Sequence, residues 1–168
     1  YLLVVFFDSP KLNVGLLKAR GFCRYCDLTK VNLEGMYLKG VDLNYSNLTE
    51  ANLSRADLRE TTIIGANLSG ADLSNSDLTG ANLNKATLTA ANLSGVLVKG
   101  LNLNEVNLSG ADLTGIDLHE YSWQGANLAG ANLSGTELPG TNMVIDNINL
   151  RGADLRGANL RRAKLSGM

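Results

Sequence analysis

A hydrophobic residue returns at every fifth position from Leu28 to Met143, 24 times in succession, and only Ile63, Val98, Trp123 and Met143 of these are not leucine. That period excludes both continuous secondary structures. On a helix, five steps of about 100° carry each leucine about 140° around the axis from the last, so the set would spiral over the surface. On a strand the same step sends successive leucines to opposite sides, and half of them would meet water. They share one interior only if the backbone changes direction once in each unit.

The other positions supply that change. With the leucine taken as the centre, the residue before it is usually Asn or Asp, and the residue two before is usually small, as at Ala66, Ala71 and Ala81. Asn and Asp favour turns because their side chains bond to nearby backbone groups, and the frequent glycine two residues after the centre tolerates positive φ. Each unit therefore has two inward and three outward positions, with a corner in every unit. Alanine recurs at Ala51, Ala71, Ala91, Ala111 and Ala131, a 20-residue step that makes four sides per coil. After Met143 the next centre is Leu150, followed by Leu155, Leu160 and Leu165; two residues bulge out near 144–149, beyond Pro139, and the alanine column resumes at Ala153. The expectation is seven coils, a column about 34 Å tall at an inter-strand spacing of ~4.8 Å.

The tandem ANLSG, ADLSN, ANLNK and ADLTG resembles the pentapeptide-repeat family, whose pattern is A(D/N)LXX, over residues 26–167. The resemblance implies an all-β solenoid, a right-handed quadrilateral β-helix. The family is defined by its scaffold, so it implies little about activity.

Stacked coils need covered ends. Residues 9–21, SPKLNVGLLKARG, read as a short N-terminal capping α-helix, with Ser9 as N-cap, Pro10 in the first turn, Leu12, Leu16 and Ala19 along one stripe and Gly21 as terminator. The organisation is thus an apolar N-terminal segment and capping helix over 1–22, then the repeat domain over 23–168. The run YLLVVFF, residues 1–7, falls far short of the roughly 20 residues that span a bilayer. It is expected to pack on the fold, the alternative being the remnant of a signal or membrane segment. At the other end, Arg161, Arg162 and Lys164 are expected to keep the last coil from indiscriminate stacking, and that coil is the expected dimer contact if the protein is not a monomer.

Composition narrows the function. Only 5% of residues are aromatic, so the core is built from Leu, Ala, Val and Ile. The 15 basic and 16 acidic residues nearly balance, which argues against a generally basic nucleic-acid binder. Charge is uneven along the chain, however: residues 101–150 hold six acidic and no basic residues, and 151–168 hold five basic residues against Asp154.

Cys23 and Cys26 stand where the cap meets the first coil. Zinc needs about four ligands, and the remaining candidate, His119, is about 95 residues away, so no metal is expected. A disulfide, two packed thiols and redox chemistry all remain open at this point. Some cyanobacterial members that this helix-plus-CxxC arrangement resembles are exported to the periplasm or thylakoid lumen, and the resemblance favours that localisation here, with the cytoplasm as the alternative.

The segment DLHEYSWQG, residues 117–125, departs from the repeat, with Tyr121 at a normally small position and Trp123 at a centre. An interior sized for leucine would be overpacked by them, at about 1–3 kcal/mol, unless the coil widens or an aromatic turns outward. His119 and Glu120 lack a second partner for acid–base work and read as solvated. The Asn-x-Ser/Thr triplets at Asn47, Asn67, Asn92 and Asn107 follow from the repeat spelling. Outward Tyr37, Ile64 and Leu97 are scattered, which is ordinary for a surface.

No nucleophile triad, phosphate-binding loop or metal cluster appears, so the expectation is a non-catalytic scaffold or protein–protein interaction module with no cofactor. Its partner-binding candidates are Glu105, Asp112, Asp117, Glu120, Tyr121 and Trp123. Two alternatives stand beside it. The resemblance implies a DNA-mimicking modulator of a topoisomerase, from which this chain departs in its near-zero net charge and the lack of an obvious dimerisation segment. The other is the soluble domain of a membrane-anchored protein.

Overall fold

The computed structural model describes residues 17, 21–117, 124–136 and 148–159. Within them the backbone winds in five-residue units, four to a coil, around a single apolar column. Parallel bridges join each coil to the next with a 20-residue step, from Phe22 with Asp42 to Asp112 with Asn132. The step becomes 22 residues where Asn127 pairs with Asn149 and Asn132 with Asp154, so two residues are inserted between these coils without loss of register. The architecture is the right-handed quadrilateral β-helix. We number its faces by their centres: the first carries Cys23, Leu43, Ile63, Leu83 and Leu103, the second Leu28 through Leu128 and Leu150, the third Leu33 through Leu133 and Leu155, and the fourth Leu38, Leu58, Leu78 and Val98.

In the central coils the unit pairs its backbone both with the neighbouring coils and within its own corner. Leu48 N–H donates up the column to the Asn67 carbonyl at 2.6 Å, Glu50 N–H to Ser69 at 2.9 Å, and Asn67 N–H returns to Ser46 at 3.0 Å. The corner closes on itself, Ala51 N–H donating to the Leu48 carbonyl at 3.0 Å. A chain that bends every five residues around a dry interior is tolerated because its backbone polar groups find partners in this way. The third residue of every described corner takes positive φ whatever its side chain, 55° at Ala90 and 66° at Gly110, as a type II turn demands. The outward Asn or Asp before each centre holds the bend: Asn67 Oδ1 accepts from Ser69 N–H at 3.0 Å and from the Ser69 hydroxyl at 2.6 Å.

The core is a stack of leucines, Leu28, Leu48, Leu68 and Leu88 among them, all fully buried, lined by the small column of Ala51, Ala71, Ala91, Ala111 and Ala131. Burial of this kind, ~25 cal/mol per Å² of apolar surface, is the main stabilising term. Where an inward position of another column carries a bonded hydroxyl, it turns back to its own corner: Ser46 Oγ donates to Leu43 O at 2.6 Å and Thr61 Oγ1 to Leu58 O at 2.6 Å. Ser76 Oγ is buried and makes no hydrogen bond.

Of the helix expected over 9–21, only Leu17 and Gly21 are among the described residues. Leu17 is buried against the N-terminal end of the core, and Gly21 N–H donates to its carbonyl at 3.0 Å. Among the described residues, no helix is long and apolar enough to cross a membrane.

Candidate functional site

The acidic candidates do not converge. Glu105 occupies a corner of the first face at φ 57°, its carboxylate 3.6 Å from Lys85 Nζ one coil below. Asp112 lies on the third face, where Oδ1 accepts the N–H of Thr114 at 3.0 Å and also its hydroxyl. That is the capping task its position performs wherever it is Asn or Asp, as at Asn67 and Asp72. Asp117 is exposed on the fourth face. The three lie on three faces of successive turns of chain, so the run of acid in the sequence becomes a belt around the column. Glu120, Tyr121 and Trp123, and His119 with them, lie outside the described residues.

Cys23 and Cys26 form a disulfide with an S–S distance of 2.05 Å and Cα atoms 5.4 Å apart. Cys23 is a buried centre and Cys26 the next inward position, so the bond crosses the first corner of the solenoid. Elsewhere this pair of positions is joined by the corner's backbone hydrogen bond. Of the readings the two residues left open, the structure takes the disulfide, and neither cysteine is free.

Two ion-pair sites were not among the candidates read from the sequence. On the fourth face Arg59 Nε donates to Asp57 Oδ1 at 2.7 Å and stands 3.8 Å from Asp77 of the next coil. The Arg59 hydrogen bond holds the Asp57 carboxyl below its ordinary range, and Asp57 in turn raises the guanidinium. Near the C-terminal end Arg156 grips Asp154 through two parallel bonds, Nε to Oδ1 at 2.9 Å and Nη2 to Oδ2 at 2.6 Å, which lowers the carboxyl and raises the arginine. Both pairs are two residues apart and flank an inward leucine. The signal was present as D-L-R, spelled twice, at 57–59 and 154–156. Such exposed pairs are structural clasps of small energy. Among the described residues no group of three or more His, Cys, Asp or Glu is placed to hold a metal ion.

The described aromatic residues are outside the core. Tyr25 and Tyr45 stack at the first corner with ring centroids 5.1 Å apart and planes 12° from parallel, and the Arg24 guanidinium lies 6.0 Å from the Tyr25 centroid. Arg24 also pairs with Asp42 at 3.5 Å. The Tyr45 ring covers Gly65, where a Cβ would stand 2.8 Å from Cδ1.

The model of the pentapeptide repeats matches eight copies across residues 26–143 and 145–167. Among solved structures, the chain is similar to a pentapeptide repeat protein of the Arabidopsis thaliana thylakoid lumen, at 31% identity over 77% of this chain and 73% of that one, with a TM-score of 0.33. HetL of the cyanobacterium Nostoc, a pentapeptide repeat protein involved in heterocyst differentiation regulation, is 27% identical over 88% of this chain and 93% of its own, TM-score 0.33. QnrB1, a plasmid-mediated fluoroquinolone resistance protein, is 19% identical over 88% and 78%, TM-score 0.44. No curated protein in the comparison matches the chain. The five-residue winding, its 20-residue register and the repeat match agree, and the chain belongs to the pentapeptide repeat family.

Proposed function

We propose that this protein is a rigid, non-catalytic scaffold that presents flat faces to a protein partner. The observation that carries the reading is the internal bonding of the outward rows. Asn and Asp side chains are tied to their own backbone, Ser and Thr hydroxyls are tied to them, and Asn side chains ladder up the second face, Asn149 to Asn127 at 3.0 Å and Asn127 to Asn107 at 3.1 Å. A surface already ordered in the free molecule loses little entropy on association. Among the described residues, the groups shifted from their ordinary protonation range are the two Asp–Arg clasps. We assign the contact to the acidic belt, Glu105, Asp112, Asp117 and Glu120, with Tyr121 and Trp123 beside it.

The scaffold is further inferred to have about seven coils and a capping helix over residues 9–21, a reading supported by the burial of Leu17 beneath the first coil. The test of function is affinity capture with the wild-type chain and with a variant carrying Trp123→Ala and neutralised belt carboxylates. The reading requires the variant to lose a specific protein partner; retention of every partner removes it.

A second reading, a DNA-mimicking modulator of a topoisomerase, is favoured by one observation: residues 41–150 hold twelve acidic residues against four basic. A gyrase supercoiling assay showing neither inhibition nor protection ends it.

A further inference from the structure

The second face differs from the other three in its charge. Among the described residues, its outward positions from Asn67 to Asn149 hold no acid or base, through four successive units and into a fifth. Its charged residues stand at the two ends, Asp27, Lys30 and Glu50 at one and Arg151 at the other. Its amides are bonded within the molecule: Asn47 Oδ1 accepts from the Thr49 hydroxyl at 2.6 Å, Asn67 Oδ1 from that of Ser69 at 2.6 Å, and Asn127 is laddered to Asn107 and Asn149. Covering such a face strands few donors or acceptors, which is the main cost of burying a polar surface.

This face is also complementary to itself. It carries seven described units, with centres from Leu28 to Leu150, and Leu88 is the middle one. A second copy turned end over end, about a two-fold axis crossing the face at Leu88, sets the first unit opposite the seventh and keeps each residue's place within the unit. Asn67 and Ser69 then oppose Asn107 and Ser109, an identical pair, and Thr87 and Thr89 lie on the axis. Along the edge shared with the third face, the long side chains Lys30 and Glu50, themselves paired at 3.3 Å, come opposite Gly152 and Gly130. A Cβ at Gly130 would meet nothing within 4 Å, so that edge has room for the partner's glutamate. Arg151 comes over the end that holds two acids and one base. One patch pairing with itself in this way is the interface of a closed two-fold dimer.

The same operation sets like charges together on the other faces. On the third, Asp72 meets Asp112; on the fourth, Asp77 meets Asp117 and Lys99 meets its own copy; on the first, Lys85 meets its own copy. Opposed like charges exclude those pairings, and the second face is left. The area is adequate: the chain exposes 8725 Å², so one face of four offers at most about a quarter of it, about 2200 Å², and a standard interface takes about 800 Å² from each partner.

We propose that the second face is a homodimer interface, on which a second copy of this chain packs antiparallel, column beside column. Glu105, Asp112 and Asp117 of the belt lie on the other three faces, so the dimer leaves them outside and the two proposals succeed or fail separately.

The experiment is sedimentation equilibrium of the chain, disulfide intact, at up to about 100 µM, where even a micromolar dimer is populated. The wild-type chain is expected to approach twice the monomer mass. Thr89→Lys sets two ammonium groups against each other at the axis and should weaken association at least about tenfold. Ser94→Lys makes the same change in the same coil on the third face and should associate as wild type does. Arg59, Arg151 and Arg156 occupy the equivalent place in their units, so the winding accepts a long base there, and circular dichroism verifies the fold of both variants. Orientation is read in Arg151→Lys with a short amine-reactive linker, which should join Lys30 of one copy to position 151 of the other. Within one copy these positions are six coils, about 29 Å, apart and out of its reach. A monomeric wild-type chain overturns the proposal. So does a dimer that survives Thr89→Lys, which would place the contact elsewhere on the column, and so does equal weakening by Ser94→Lys. A dimer that gives no link between 30 and 151 overturns it as well.

Discussion

Replacing Ala90 by glycine should stabilise this protein, and replacing Gly110 by alanine should destabilise it by a similar amount. Both residues occupy the third position of a corner on the same edge of the column, one coil apart. Their φ angles are 55° and 66°. An L-residue in that region pays about 1–2 kcal/mol because its Cβ crowds the following carbonyl. Against this, alanine restricts the unfolded chain more than glycine and recovers about 0.4–1 kcal/mol. The difference is roughly 0.5–1 kcal/mol in favour of glycine at either site. Sterics do not disturb the comparison, since a Cβ at Gly110 would meet only the Ala90 nitrogen, at 4.0 Å. For a chain of 168 residues that energy corresponds to about 1–4 °C in Tm. Thermal and urea unfolding of Ala90→Gly, Gly110→Ala and the double variant provide the assay, and the double variant should return close to wild type. A destabilised Ala90→Gly, or a stabilised Gly110→Ala, would refute the torsional account of the corners.

Leu73→Ala removes a fully buried centre from the middle of the column and should cost about 3–5 kcal/mol, read as a fall in the denaturant midpoint, because neighbours hydrogen-bonded on both sides cannot collapse into the void. Ser76→Ala deletes a buried hydroxyl that has no partner and should raise stability by about 1 kcal/mol; Ser46→Ala deletes one bonded to Leu43 O and should lower it by about as much, so the two melts move in opposite directions. Reduction of the Cys23–Cys26 bond, which closes a loop of sequence separation 3, should lower stability by about 2 kcal/mol, checked by urea titration with and without reductant. Because Arg59 depresses the Asp57 carboxyl, the stabilisation it provides is complete above the unfolded-state value near ~3.9 and is lost as pH falls through the lower folded value. The fall in stability between about pH 7 and about pH 3 should therefore be smaller in Arg59→Met than in wild type, and equal falls would show that the pair does not form in solution.

The winding of this chain is legible in its residues because the repeat is short and covalently regular. A leucine every fifth position admits one kind of interior, the alanine column at 51, 71, 91, 111 and 131 counts the sides, and the Asn or Asp before each centre marks where the backbone bends. All of these are local relations, decided within one unit or between a unit and its copy 20 residues away. What the repeat does not encode is which outward residues become neighbours, because that depends on how four faces are folded around one axis. Glu105, Asp112 and Asp117, close in sequence, are distributed to three faces; Tyr25 and Tyr45, one coil apart, stack at one corner. The two cysteines left several chemistries open until the first corner set their Cα atoms 5.4 Å apart, within reach of a disulfide. Periodicity thus determined the core, since burial is a property each unit shares with every other, while the surface was decided by tertiary winding, which alone converts distance along the chain into position around the column.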